Sequence, residues 1–216
     1  MAMHATGKRM YGIVEIFESL QGEGRNTGRP CLFVRFAGCN LACPWCDTDF
    51  TPRLTLTLDA LLDDISSFRT KNIILTGGEP TIQPGMPELV AELKKRGYWI
   101  AVETNGTMDV TAAPWLEFVD YIACSPKMLY PSSLRLEAAN EVRVVADPSV
   151  PLEKALAFCK SLPLRINAQD YYISPCDLEA EGGGKGIDFA TAKALLAALG
   201  DGWSLSVQLH KILGFR

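Results

Sequence analysis

Cys39, Cys43 and Cys46 stand with three and then two residues between them. At that spacing their thiolates can converge on one small object. Three ligands are one short of a closed four-ligand site. An iron–sulfur cube held by three cysteines keeps one iron open to a small ligand, whereas ordinary electron carriers close all four positions with cysteine. Two alternatives compete. Zinc also takes closely spaced thiolates, but structural sites use four ligands, usually as two separated pairs, and the only histidines are His4 and His210. A disulfide framework is the other. Seven cysteines is an odd number, and 216 residues without a secretory segment do not suit a stapled mini-domain.

Other residues could do chemistry beside the thiols. Leu20-Gln21-Gly22-Glu23-Gly24 holds an amide and a carboxylate between glycines, which lets backbone approach a ligand and offers donors and acceptors to a polar heterocycle. On composition alone it reads as a solvated turn. Arg35 is a charge inside an apolar run and needs a partner, either an internal carboxylate or that of a ligand. Thr76-Gly77-Gly78-Glu79-Pro80 is a plain turn or a set of acceptors for an ammonium group. His210 is structural or functional with equal justification. Glu181–Gly186 lacks phosphate-loop spacing and reads as a surface loop. Cys31 and Cys159 read as core residues. The cysteines at 124 and 176 have no role that the residues themselves assign.

Alternating patterns must position these groups. Strands are expected over 11–17, 31–36, 72–76, 98–103, 119–124, 141–146, 171–173 and 204–209, with a loop over 18–30. Helices are expected over 57–68, capped by Thr57, and over 86–96, 152–162 and 189–199. Polar clusters follow the strand ends: 39–48, 76–80, 103–106, 125–127, 174–177 and His210. Ligands bind at that edge of parallel α/β sheets. About six repeats, short of the eight of a closed barrel, predict an α/β fold with an open partial (β/α) barrel of about six mainly parallel strands. One domain over 1–216 is expected, with 1–10 as a tail. A net charge of −4 without a lysine- or arginine-rich run gives no nucleic-acid surface. No apolar run is long enough to cross a bilayer. Reduced thiols and no targeting segment point to the cytoplasm.

The cysteine spacing, with an aromatic residue before the last cysteine, resembles the signature of radical S-adenosylmethionine (SAM) enzymes. Together with 20–24, Arg35–Asn40, Cys46-Asp47-Thr48-Asp49, 76–80, Glu103-Thr104-Asn105-Gly106, Ser125-Pro126-Lys127 and Gln208-Leu209-His210-Lys211, it resembles the 7-carboxy-7-deazaguanine synthase family over about residues 11–211. The resemblance implies a lyase on the route to queuosine-type 7-deazapurines, which contracts the ring of 6-carboxy-5,6,7,8-tetrahydropterin to 7-carboxy-7-deazaguanine and ammonia. It implies a [4Fe–4S] cluster on Cys39, Cys43 and Cys46, SAM used catalytically, and Mg²⁺ on Thr48. SAM contacts are implied at Trp45, Cys46, Asp47, Gly78, Glu79, Glu103, Asn105, Ser125, Pro126, Lys127, Ser174, Pro175, Cys176 and Asp177. Pterin contacts are implied at Leu20, Gln21, Gly22, Glu23, Arg35, Thr76, His210 and, through the terminal carboxylate, Arg216. No side chain is implied as catalytic, the radical being carried by the cofactor. Ser174-Pro175 stands where the family often has Gln-Pro, so the adenosine either goes without that amide or is reached through water. A homodimer and a flavodoxin- or ferredoxin-type reductant are also implied. The competing functions are a glycyl-radical-enzyme activase of the same superfamily and an iron–sulfur electron carrier.

Overall fold

A computed structural model describes residues 9–46, 48–178 and 186–214. In chain order the elements are β1 (Met10–Leu20), β2 (Pro30–Phe36), β3 (Leu54–Thr57), α1 (Leu58–Ser66), β4 (Asn72–Gly77), α2 (Met86–Lys95), β5 (Trp99–Thr104), β6 (Tyr121–Cys124), β7 (Ala138–Ala146), α3 (Leu152–Ser161), β8 (Asn167–Asp177), β9 (Ile187–Asp188), α4 (Phe189–Leu199), β10 (Trp203–Leu205) and α5 (Leu209–Leu213), with short 3₁₀ turns between some of them. One sheet runs in the order β10-β8-β7-β6-β5-β4-β2-β1-β3. Every neighbouring pair from β10 to β2 is parallel. β1 and β3 close one edge antiparallel, and β9 pairs with the end of β8. The two edges do not meet, so the α/β barrel is open, as its repeat number predicts.

Side chains alternate across each strand, and here the alternation separates two environments. Val34, Ile73, Leu75, Ile100, Val102, Val142 and Val144 face the helices. They pack with Leu61 and Ile65 of α1, Leu89 and Leu93 of α2, Phe158 of α3 and Leu195 of α4. Phe33, Ile74, Ala101 and Ala123 form a smaller apolar cluster on the opposite face. One step further along the same face come Arg35, Thr76, Glu103 and Arg143. All four line a cavity. The helices therefore bury one face of the strands, while the other passes from an apolar floor to a polar wall.

Several boundaries differ from the sequence reading for local reasons. β1 extends to Leu20, leaving a shorter loop, and it starts at Met10, inside the stretch expected as a tail; residues 1–8 lie outside the described residues. β3 is an addition to the expected strands, since four residues carry too little alternation to be distinctive. Ser174, Pro175, Cys176 and Asp177 are expected beyond a strand of 171–173, yet they are its last residues, because β8 runs from Asn167 to Asp177. The expected strand over 204–209 stops at Leu205. The Ser206 hydroxyl accepts the Gly24 N–H at 2.9 Å and the Leu209 N–H reaches Gly22 O at 3.1 Å, so the chain leaves the sheet and His210 sits on α5. Thr57 does cap α1, its hydroxyl accepting the Ala60 N–H at 3.3 Å.

Candidate active site

A cavity of about 380 Å³ opens at the C-terminal ends of β2, β4, β5 and β7. One wall carries Cys39, Cys43, Trp45, Cys46 and Thr48. The other carries Gln21, Gly22, Glu23, Arg35, Thr76, Glu103, Arg143 and His210. Residues 169 positions apart in sequence, Cys39 to Gln208, thus share one space.

The cysteine loop is held from several sides. Asn105 Nδ2 donates to Asn40 Oδ1 at 2.9 Å, and Asn40 Nδ2 donates to Thr107 Oγ1 at 2.8 Å. The Tyr130 hydroxyl donates to Ala42 O at 2.9 Å, and Trp45 Nε1 donates to Asp147 Oδ2 at 3.1 Å. Beneath it the Glu79 N–H donates to Gly38 O at 2.9 Å. Gly78 lies so close that a Cβ there would collide with the Gly38 carbonyl. The paired glycines are needed for this backbone-to-backbone approach. Glu79 is fully buried behind them. Its carboxylate accepts from the Thr81 and Thr104 hydroxyls at 2.6 and 2.7 Å and from the Thr81 and Asn105 N–H groups at 3.0 and 2.7 Å. It ties the end of β4 to that of β5 and does not line the cavity.

No disulfide forms among the described residues, and Cys39, Cys43 and Cys46 are the half-buried cysteines. Burial pushes the Cys39 and Cys43 thiols up, against the pull of Lys127. Lys127 Nζ lies 4.8 Å from the centre of the Trp45 ring and donates to Ser125 Oγ at 2.8 Å. Three thiols on one cavity wall with one ammonium beside them suit an anionic cluster whose ligands must be deprotonated.

The opposite wall centres on a residue that the sequence reading does not single out. Arg143 is buried, and its Nη2 donates to Glu103 Oε1 at 2.8 Å while Nη1 pairs with Glu23 Oε2. Its Nε lies 3.0 Å from Glu141 Oε1. Glu103 also accepts from Gln21 Nε2 at 3.0 Å and the Thr76 hydroxyl at 2.7 Å. Gln208 Nε2 donates to the second oxygen of Glu23 at 2.7 Å. Burial alone would raise the Glu103 carboxyl, but the Arg143 guanidinium and the Thr76 and Gln21 donors hold it at about 2. The signal that could find Arg143 is the one that marks Arg35, a charge inside an apolar strand, and it applies equally to Val142-Arg143-Val144.

Arg35 has an internal carboxylate partner and also lines the cavity. Nε donates to Glu15 Oε1 at 2.9 Å, and Nη1 faces the Thr48 hydroxyl at 3.4 Å across the cavity mouth. Leu20, Ser125 and Asn105 also line the cavity, whereas Pro126, Ser174, Pro175, Cys176 and Asp177 do not. Ser174 is buried beside Val145, its hydroxyl without a hydrogen bond. Asp177 pairs with Lys211 at 2.6 Å, tying β8 to α5. Asp47, Arg216 and most of the loop 181–186 lie outside the described residues.

Residues 33–161 match the radical SAM superfamily. Relatives from Haemophilus influenzae and Neisseria meningitidis, both named 7-carboxy-7-deazaguanine synthase, are 42% and 45% identical, with 94% of this chain and 93% of each relative covered. The chain belongs to that family. As a radical SAM 7-carboxy-7-deazaguanine synthase family member it uses an iron–sulfur cluster and SAM, and the activase and electron-carrier readings fall away. The crystal structure of QueE from Escherichia coli has the same fold, with a TM-score of 0.64 at 24% identity over 92% of this chain and 94% of that one.

Two outcomes are expected from this geometry. Gly78→Ala cannot keep the approach to Gly38, so the purified protein should hold well under half the wild-type iron per chain after reconstitution, as read by iron assay and visible absorbance. Because the Glu103 carboxyl is depressed on folding, its contribution to stability is present above its unfolded value of about 4.3 and fades as pH falls toward about 2. Denaturant titrations across that acid range should show a shallower decline for Glu103→Gln than for wild type.

Proposed function

We propose that this chain contracts the ring of 6-carboxy-5,6,7,8-tetrahydropterin to give 7-carboxy-7-deazaguanine and ammonia, regenerating SAM in each turnover. The observation that carries the reading is the single cavity shared by the three thiols and the Gln21–Glu23–Glu103 wall. An activase acting on a protein backbone has no need for a buried wall of acceptors sized for a heterocycle.

Cys39, Cys43 and Cys46 would hold the [4Fe–4S] cluster, with SAM on the open iron. When bound and reduced, the pair supplies a 5′-deoxyadenosyl radical that abstracts hydrogen from the substrate carbon bearing the carboxylate. The protein's share is binding, orientation and exclusion of water. Trp45, Cys46, Asp47, Gly78, Asn105, Ser125 and Lys127 are the SAM contacts in this reading. Glu79 and Pro126 act from behind, by holding the backbone. Ser174 to Asp177 are the proposed adenosine side; they lie beyond the cavity lining, with the Ser174 hydroxyl buried.

Leu20, Gln21, Gly22, Glu23, Thr76 and His210 surround the pterin in the same reading, and Glu103, which the resemblance implies as a SAM contact, is placed with them because it accepts from Gln21 and Thr76. The acceptors of Glu23 and Glu103 suit the ring edge that bears amino and N–H donors, and Arg35 suits the carboxylate at the other end. Thr48 lies beside the Arg35 guanidinium. Thr48 would hold a Mg²⁺ ion, and a substrate carboxylate would offset the charge of that ion and of Arg35, so metal and substrate should bind together. The terminal carboxylate of Arg216 is a further proposed substrate contact. A homodimer, a flavodoxin- or ferredoxin-type reductant and a cytoplasmic location complete the proposal. Among the described residues no helix is long and apolar enough to cross a membrane.

The test is one anaerobic assay with reconstituted protein, dithionite, SAM and the tetrahydropterin carboxylate, with and without Mg²⁺. Deazapurine should form without stoichiometric 5′-deoxyadenosine; SAM consumption without a pterin-derived product would overturn the reading. Cys43→Ala should lose both the cluster chromophore and turnover. Thr48→Ala should retain turnover but lose most of its response to Mg²⁺; a full response in that variant would remove Thr48 from the metal site.

A further inference from the structure

Arg143 lines the cavity wall, yet its guanidinium faces carboxylates on three sides: Glu23 from the loop after β1, Glu103 from β5 and Glu141 from its own strand. Its side chain is 6% exposed. Glu141 is itself consumed. One oxygen faces Arg143, and the other accepts the Arg25 N–H at 2.9 Å and the Tyr121 hydroxyl at 2.8 Å. It therefore anchors the guanidinium from behind. Glu23 and Glu103 instead border the cavity.

We propose that Arg143 is a positioning residue for substrate: held by Glu141, it orients Glu23 and Glu103 so that the cavity presents two acceptor-only carboxylates to the donor-bearing edge of a heterocycle. This rests on the function proposed above and adds the group that sets its ring-edge specificity. Each arm of the guanidinium holds one oxygen of one carboxylate, Nη1 that of Glu23 and Nη2 that of Glu103, in a charge-assisted hydrogen bond. Thr76 and Gln21 complete Glu103, and Gln208 completes Glu23, so neither carboxylate can swing away. A neutral carboxylic acid would present a donor where the ring edge also presents one. Only ionised acceptors match amino and N–H groups on both sides.

The charged and titratable groups around Glu103 are Arg143 and Glu141 on β7, Glu23 in the loop after β1, Cys31 on β2 and, through Glu141, Tyr121 on β6. Arg143 is the cation bonded to both cavity carboxylates. Removing its charge takes away the cation that holds the Glu103 carboxyl low against burial, so that carboxyl shifts upward.

The experiment uses reconstituted enzyme with SAM and the fluorescent probe 6-carboxypterin, which has the same ring edge. Wild-type affinity between about pH 6 and pH 7.5 is the reference profile, since His210 lines the same cavity. Arg143→Gln should bind about tenfold or more weakly at pH 7, improving relative to wild type as pH rises and Glu103 ionises, with KM for the tetrahydropterin rising much more than kcat falls. Arg143→Lys should recover part of the affinity and the wild-type pH profile. Iron content and SAM binding, read in parallel, should stay at wild-type levels in Arg143→Lys. If the Gln variant fails to hold its cluster, the Lys variant carries the test alone, through a rise in KM at unchanged pH profile.

Wild-type affinity and pH profile in a folded, iron-replete Arg143→Gln protein would overturn the proposal. So would a fall in kcat with KM unchanged, since that marks contact with the reacting atoms, or a Lys variant indistinguishable from wild type in KM. If wild type itself neither binds 6-carboxypterin nor forms the deazapurine, the functional reading fails, a result separable from the others because it appears without any substitution.

Discussion

A guanidinium taken almost wholly out of water is stable only if the protein replaces what water supplied. For Arg143 that replacement comes from carboxylates on three sides, carried by two strands and a loop. The arrangement depends on strand register. Glu103 and Glu141 both pair with Ala123 of the intervening strand, so they flank its small side chain. Ala123 leaves room there that a larger residue would fill. Three carboxylates against one guanidinium leave negative charge in excess, and the surplus is spread over Thr76, Tyr121, Gln21, Gln208 and the Arg25 N–H. No single substitution in that set acts alone, because each donor's loss leaves a buried oxygen short of a partner.

The cysteine wall is built on a different principle. It belongs to a loop without strands or helices, so its rigidity comes from tethers: the backbone approach of Gly78 to Gly38, the Asn40–Asn105 amide pair, Tyr130 and Asp147. Each tether starts from a different part of the sheet's C-terminal edge, so the loop inherits its geometry from the whole sheet. The fully buried Glu79, which joins the ends of β4 and β5, matters for that reason although it never reaches the cavity. With Cys39 and Cys43 pushed up by burial, metal binding by these thiols, as proposed, would release protons, and the nearby Lys127 would ease that release.

Much of this is legible in the sequence because it is local. The spacing of Cys39, Cys43 and Cys46, the helical periods of α1 to α4 and the rule that polar clusters follow parallel strands are all short-range patterns. What is not legible depends on pairings distant in the chain. Ser206 and Gln208 leave the sheet because Gly24 and Glu23, more than 180 residues earlier, offer them partners, so a stretch with strand composition becomes a turn and a short helix. Ser174 to Asp177 have the look of a loop because of their proline, which β8 accommodates near its end. Arg143 escapes a sequence reading for a subtler reason. One charge among valines marks a buried ion pair, but only the neighbouring strands say with what, and so whether it is scaffold or site.

The loop 21–24 belongs to the wall opposite the cysteines, and the C-terminal segment fastens it. The Leu209 N–H bonds Gly22 O, the Gly24 N–H bonds Ser206, and Gln208 holds Glu23. Lys211, paired with Asp177, fixes the segment that makes these bonds to the end of β8. Gly22 is buried against His210, where a side chain would collide with the imidazole, so the segment can lie flat across the loop. A radical reaction requires the abstracted hydrogen to lie in one direction from the cofactor, and a ring free to rotate in its pocket would not meet that requirement. Strands alone could orient Glu103, but Glu23 is on a loop. It reaches comparable order only by being clamped between Arg143 from the sheet and Gln208 from the C-terminal segment. In the proposed substrate site, angular control would therefore rest on contacts that bring together the first, middle and last parts of the chain.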